Sequence, residues 1–292
     1  MTRGKRESGT VKILVTGANG QLGKEIAKQG LEHELILTDY DTLNIADGQA
    51  VSAVMREVRP QAVIHCAAYT NVDGAEADFD GAFRVNVVGS QNMSAACLEV
   101  GARMVYVSTD YVFDGNSQKP YREYDPVNPQ SVYGLTKWHG EEMVRRILGR
   151  HYIVRTAWLY GEGNNFVRTM LNLAAKQDTL RVVNDQVGTP TSTVDLAKVI
   201  FRLLGSDAYG TYHASCQGQC SWFEFACEIF RQAGKDIKVI PVSTAEFLRP
   251  AKRPAHAVLD NHMLRMTVGD PMRSWQEAFG EYLVGLKKVL KV

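Results

Sequence analysis

The chain has 292 residues, 45% hydrophobic and 22% charged, with 33 Lys and Arg against 32 Asp and Glu. That length buries a core sufficient for one large domain or two closely joined ones. A formal net charge of +1 leaves no electrostatic footprint for nucleic acid or a membrane surface, and no apolar run is long enough to span a bilayer.

The opening MTRGKRESGT is basic and polar with no apolar stretch behind it, so residues 1–10 read as a flexible leader rather than a signal peptide. Apolar, β-branched runs follow at VKILVT, ELILTD, QAVIHC, RMVYVS and HYIVRT. Helical stretches lie between them: GQLGKEIAKQG, DGQAVSAVMREV, FDGAFRVNVVGSQNMSAACLEVG and SVYGLTKWHGEEMVRRIL. Continuous apolar strands alternating with amphipathic helices predict an α/β, doubly wound parallel sheet of Rossmann type. Residues 11–158 are expected to form the dinucleotide-binding domain and 159–292 a smaller C-terminal substrate lobe, with 187–215 returning to the large sheet. In that lobe the rhythm changes. NNFVRTMLNLAAK reads as a helix and LRVV as a strand; a second helix is capped near Ser192 or Thr193, and a third at Ser221. Five scattered cysteines, Cys66, Cys97, Cys216, Cys220 and Cys227, lack the spacing of a disulfide framework or metal site. They read as reduced thiols of a cytoplasmic protein, with no metal expected.

The first strand-to-helix turn, VTGANGQLG, carries Gly17, Gly20 and Gly23. Glycines there permit a tight turn and let a pyrophosphate approach the backbone at a helix N-terminus, where partial positive charge favours it. The second strand ends in Asp39, whose carboxylate can accept from both adenosine ribose hydroxyls and repels a 2′-phosphate. That spacing favours NADH, with NADPH as the alternative; a plain turn aspartate is the competing role. Ala67 and Ala68, ending the third strand, leave room for a cofactor or simply pack tightly.

SVYGLTK places Tyr133 and Lys137 four residues apart, on one face of a helix. A phenol with a pKa of about 10 holds its proton too tightly for acid–base work near neutrality, and an adjacent ammonium lowers that value. STDYVFDG ends the preceding strand, putting Ser108, Thr109 and Asp110 at the carboxyl edge of the sheet, where open α/β folds bind ligands. Thr109 there can hydrogen-bond a substrate carbonyl beside the tyrosine.

The glycine loop, Asp39, STDYVFDG and the Tyr-x-x-x-Lys pair together resemble the extended short-chain dehydrogenase/reductase family, over nearly the whole chain after the leader. The resemblance implies a catalytic set of Thr109, Tyr133 and Lys137, with Asn86 supporting the lysine through water. It implies a dinucleotide along Gly17, Gly20, Gln21, Leu22, Gly23, Asp39, Ala67, Ala68, Tyr69 and Val107. RTAWLYGEGNNFVRTM, NDQVGTPT and RPAKRP are similar to the branch of that family that reduces the 4-keto group of a dTDP-linked 6-deoxyhexulose. That likeness implies a dTDP-sugar substrate touched by Thr109, Asp110, Trp158, Asn165 and Arg253, the last at its diphosphate or else in a solvated basic turn. Some members hold magnesium at a dimer interface through glutamates; this chain does not match that set, so a homodimer stays open. Two other readings remain: a non-catalytic dinucleotide-binding subunit like the regulatory β subunit of methionine adenosyltransferase, or a related epimerase or dehydratase. A dehydratase is expected to carry further carboxylates after the threonine, whereas Asp110 is followed by Tyr111.

Overall fold

A computed structural model of the chain describes residues 9–290, with side chains described through residue 286. Residues 1–8 of the expected leader lie outside the described residues. Five apolar runs form strands β1 (Lys12–Thr16), β2 (Glu34–Thr38), β3 (Ala62–His65), β4 (Arg103–Thr109) and β5 (His151–Thr156). In the C-terminal half, β6 (Thr179–Val183) precedes β7 (Gly210–His213) and β8 (Lys238–Val242). The large sheet is parallel throughout, in the order β7-β5-β4-β3-β1-β2. The order reverses beside β1, which is where a doubly wound sheet opens a ligand crevice. Register brings the strand ends into line, with Thr16 opposite both Thr38 and His65, and Thr109 opposite Thr156.

Alternate residues of each strand feed opposite faces of this sheet. Ile13, Val15, Ile64 and Val154 pack under helices α1 (Gln21–Gln29) and, later in the chain, the helix Thr193–Leu204. Leu14, Val63, Met104 and Ile153 pack under α2 (Gly48–Val58), α3 (Gly89–Val100) and α4 (Val132–Ile147). Each buried aliphatic side chain contributes about 1.5–3 kcal/mol of transfer free energy, so both faces are needed to hold the sheet. Asp47 caps α2 by accepting from the N–H groups of Gln49 and Ala50.

The stretch expected as one helix from Phe79 is interrupted. Phe79–Phe83 is α-helical, Arg84–Val88 forms a π turn, and α3 follows. The C-terminal half adds α5 (Phe166–Ala174), α6 (Thr193–Leu204), α7 (Trp222–Ala233) and α8 (Trp275–Leu290). Here β6 and β8 pair in a separate parallel ribbon. Ser192 caps α6, and Ser221 caps α7 in a reciprocal capping box with Glu224. Segment 193–213 returns to the large sheet: α6 lies along α1, where Gln29 donates to the Val194 carbonyl at 3.0 Å, and β7 joins the edge beside β5. Among the described residues no helix is long and apolar enough to cross a membrane.

Candidate active site

The carboxyl ends of β1, β3, β4 and β5 open on one cavity of about 530 Å³, with the first residue of α7 also in its wall. Gly17, Gly20, Gln21, Leu22 and Gly23 form one wall. Gly17 has φ +66°, and a Cβ there would stand 2.7 Å from the Ala67 nitrogen, so the turn accepts glycine alone without displacing β3. Gly20 caps α1 without a side-chain acceptor, leaving the first N–H groups of that helix open towards the cavity. Asp39 underpins the loop: one carboxylate oxygen accepts from Asn19 N–H and the other from Tyr40 N–H, both at 2.8 Å.

The opposite wall carries Thr109, Asp110, Tyr133 and Lys137. Ser131 caps α4 by accepting from Gly134 N–H, and the next turn presents Tyr133 and Lys137 to the cavity. The Lys137 ammonium donates to the Val107 carbonyl at 2.7 Å and lies 4.1 Å from the centre of the Tyr106 ring. Burial pushes this amine down to about 7, with Glu141 and Cys66 pulling the other way. The Tyr133 phenol differs from the sequence expectation. Burial pushes it up to about 12, the Thr109 hydroxyl offsets this only in part, and Lys137 does not reverse it. Desolvation is the largest cause, and the Asp110 charge adds to it.

Thr109 accepts from Tyr111 N–H and donates to Asp110 Oδ1 at 2.9 Å. The other Asp110 oxygen is buried without a partner, and burial pushes this carboxyl up to about 7. It stands as an unused acceptor, or donor when protonated, in the cavity wall.

Asn86 sits one layer back, on the π turn. Its amide accepts from Tyr69 N–H at 2.8 Å and donates to Tyr69 O and to Thr136 Oγ, the residue before Lys137. It therefore clamps the segment after β3 against α4. Ala68 and Val107 line the cavity, whereas Asp39, Ala67, Tyr69 and Asn86 do not.

Two residues expected at the substrate are engaged elsewhere. Asn165 caps α5 by accepting from Arg168 N–H, and its amide donates to Gln21 Oε1 at 3.1 Å and Gly161 O at 2.8 Å. Arg253 grips Asp73 with two bonds of 3.0 and 2.9 Å. Neither lines the cavity. Trp158 does, in a left-handed backbone conformation (φ +45°) that is costly for a bulky residue. Its ring lies against Gly188, where a Cβ would come within 2.5 Å of it. Trp222, at the start of α7, was not singled out from the sequence. Its ring stacks on Trp158 at 3.5 Å between centroids and 9° between planes, and it also lines the cavity. The Ser221 cap marks where α7 begins, but only the docking of that helix shows which way its first side chain points.

A helix N-terminus open for a pyrophosphate and a Tyr/Lys/Thr set across the same cavity is the arrangement of a dinucleotide-dependent enzyme. The family model described as the RmlD substrate binding domain matches residues 11–287. The chain belongs to that family. It is also a member of the extended short-chain dehydrogenase/reductases. Within the RmlD family, a dTDP-4-dehydrorhamnose reductase of Streptomyces griseus is 42% identical over 278 residues, covering 92% of this chain and 91% of the relative. The crystal structure of a dTDP-4-dehydrorhamnose reductase from Clostridium acetobutylicum superposes with a TM-score of 0.93 at 53% identity, covering 94% of this chain and 99% of that one. A second, from Bacillus anthracis in complex with NADP, gives 0.93 at 42% identity and the same coverage.

Proposed function

We propose that this chain is an NAD(P)H-dependent reductase that converts the 4-keto group of dTDP-4-dehydro-6-deoxy-L-mannose to the alcohol of dTDP-L-rhamnose. The observation that carries the reading is the convergence of Thr109, Tyr133 and Lys137 on the cavity walled by the glycine turn. The likeness to reductases of that name over nine-tenths of both chains supports the substrate.

A bound reduced nicotinamide supplies the hydride. The open N–H groups of α1 fit its pyrophosphate, and Asp39, at the loop they begin from, fits the adenosine ribose. Thr109 turns its hydroxyl proton from Asp110 Oδ1 to the keto oxygen, and Tyr133 gives that oxygen its proton, leaving a phenolate. The Lys137 ammonium stabilises that anion, which matters because burial makes the phenol a reluctant donor. Trp158 and Trp222 supply flat apolar surface for the deoxysugar, and Asp110 an unfilled polar position beside it. Five unpaired thiols are in keeping with the cytoplasm as its compartment.

The test is oxidation of NADPH and NADH by the purified protein with and without the keto-sugar nucleotide. Consumption that depends on the sugar, with dTDP-L-rhamnose as product, is expected. A protein that binds the dinucleotide yet turns over no sugar nucleotide belongs instead with the non-catalytic dinucleotide-binding subunits.

A further inference from the structure

Glu141 lies one turn beyond Lys137 on α4 and is completely buried. Its carboxylate accepts from the Ser108 hydroxyl at 2.6 Å, from Arg155 Nε at 2.8 Å and Nη2 at 2.7 Å, and from Arg145 at 2.6 Å. Ser108 immediately precedes Thr109, and Arg155 lies three residues before Trp158. One carboxylate thus joins the helix bearing Tyr133 to both strands that deliver the other cavity residues. Arg155 extends the link through Nη1 to the Glu123 carbonyl. Burying an ion pair gains little stability over apolar groups of equal size, so packing alone does not account for it. What apolar groups cannot supply is a fixed negative charge beside Lys137.

We propose that Glu141 is a positioning residue for the reduction, holding the Lys137 ammonium protonated and keeping Thr109 and Trp158 in register with Tyr133. This rests on the reductase reading above. The titratable groups around Lys137 are Tyr133 and Glu141 on its own helix, His65 and Cys66 at the end of β3, and Tyr106 on β4. Burial keeps His65 neutral, down at about 3, and pushes the Cys66 thiol up to about 12. Burial also opposes ionisation of Glu141, but Arg155, Arg145 and Ser108 overcome it and leave the carboxyl down at about 2. Glu141 is therefore the permanent anion of the group.

Glu141→Gln removes that charge, so Lys137 loses its proton at lower pH. The basic limb of the kcat/KM profile should move down by about one pH unit, whereas a merely structural role would lower thermal stability and leave the limb in place. The double variant Glu141→Gln/Arg155→Gln leaves no guanidinium unpaired and should shift the limb in the same direction. Ser108→Ala keeps the charge and should not move it. In parallel, labelling of Lys137 by an amine-reactive reagent across pH, read by mass spectrometry without substrate, should show its midpoint falling in both Gln variants. Limbs and labelling midpoints that overlay the wild type overturn the proposal. If labelling shifts but the wild type reduces no keto-sugar, the reductase reading fails and the role of Glu141 beside Lys137 stands.

Discussion

Tyr133 is the group on which the proposed chemistry turns. Replacing it with Phe should leave dinucleotide binding intact and lower turnover roughly 10²–10⁴-fold, the usual contribution of a positioned general acid; near-normal reduction at saturating cofactor would remove it from that role. Asp110 carries a second expectation. Its carboxyl, ordinarily near 3.8, is pushed up to about 7 by burial. Between those values the folded protein keeps a proton that the unfolded chain has released, so this contribution to stability falls as pH rises and is gone above about 7. Asp110→Asn should therefore melt like the wild type near pH 4 but later at pH 8, by at most about 4 kcal/mol; equal melting shifts at both pH values would refute it. Asp39 bears on cofactor choice. If Asp39 binds the ribose, the wild type should bind NADH more tightly than NADPH; Asp39→Asn can keep one loop hydrogen bond while losing the charge, so that difference should narrow about tenfold, or 1.4 kcal/mol, in paired dissociation constants. A wild type that prefers NADPH would end the ribose role. The meeting of Tyr133, Lys137 and Thr109 at one cavity was legible because helix period and strand termination are local properties. The partners of Asn165 and Arg253 were not, because Gln21 and Asp73 lie 144 and 180 residues away in sequence.

Strands and helices of the large sheet were legible from period alone, since a parallel sheet covered on both faces needs continuous apolar runs. The π turn at Arg84–Val88 was not, because no proline or glycine marks the extra residue and FRVNVV reads as ordinary helix. π turns recur at functional sites, and here one holds the Asn86 amide level with Tyr69 and Thr136. The turn after β5 and the start of α7 meet through Trp158 and Trp222. Trp158→Ala is expected to cost about 3 kcal/mol in chemical denaturation, and Trp222→Ala less. Both should raise KM for the sugar nucleotide while leaving dinucleotide affinity unchanged. A Trp222→Ala enzyme with wild-type KM would remove that ring from the substrate site.

Across the molecule, the helix expected at the cofactor and the loop leading into α5 are tied together. Gln21 accepts from Gly161 N–H and from the Asn165 amide, while Lys24 and Lys28 pair with Glu162. The exposed lysine pairs add little, so the Gln21–Asn165 contact is the firmer bond. Asn165→Ala should cost about 1 kcal/mol as a lost helix cap and weaken dinucleotide and sugar-nucleotide binding together, measured by titration calorimetry; a purely thermal effect would confine Asn165 to capping. The stacked tryptophans have one more consequence. Two indoles lying face to face this closely share their electronic excitation, and one follows β5 of the sheet while the other starts the helix α7. The protein thus contains its own optical gauge. A paired band in the far-ultraviolet circular dichroism, absent when either ring is replaced by phenylalanine, would report every change in the spacing of sheet and helix without any attached dye.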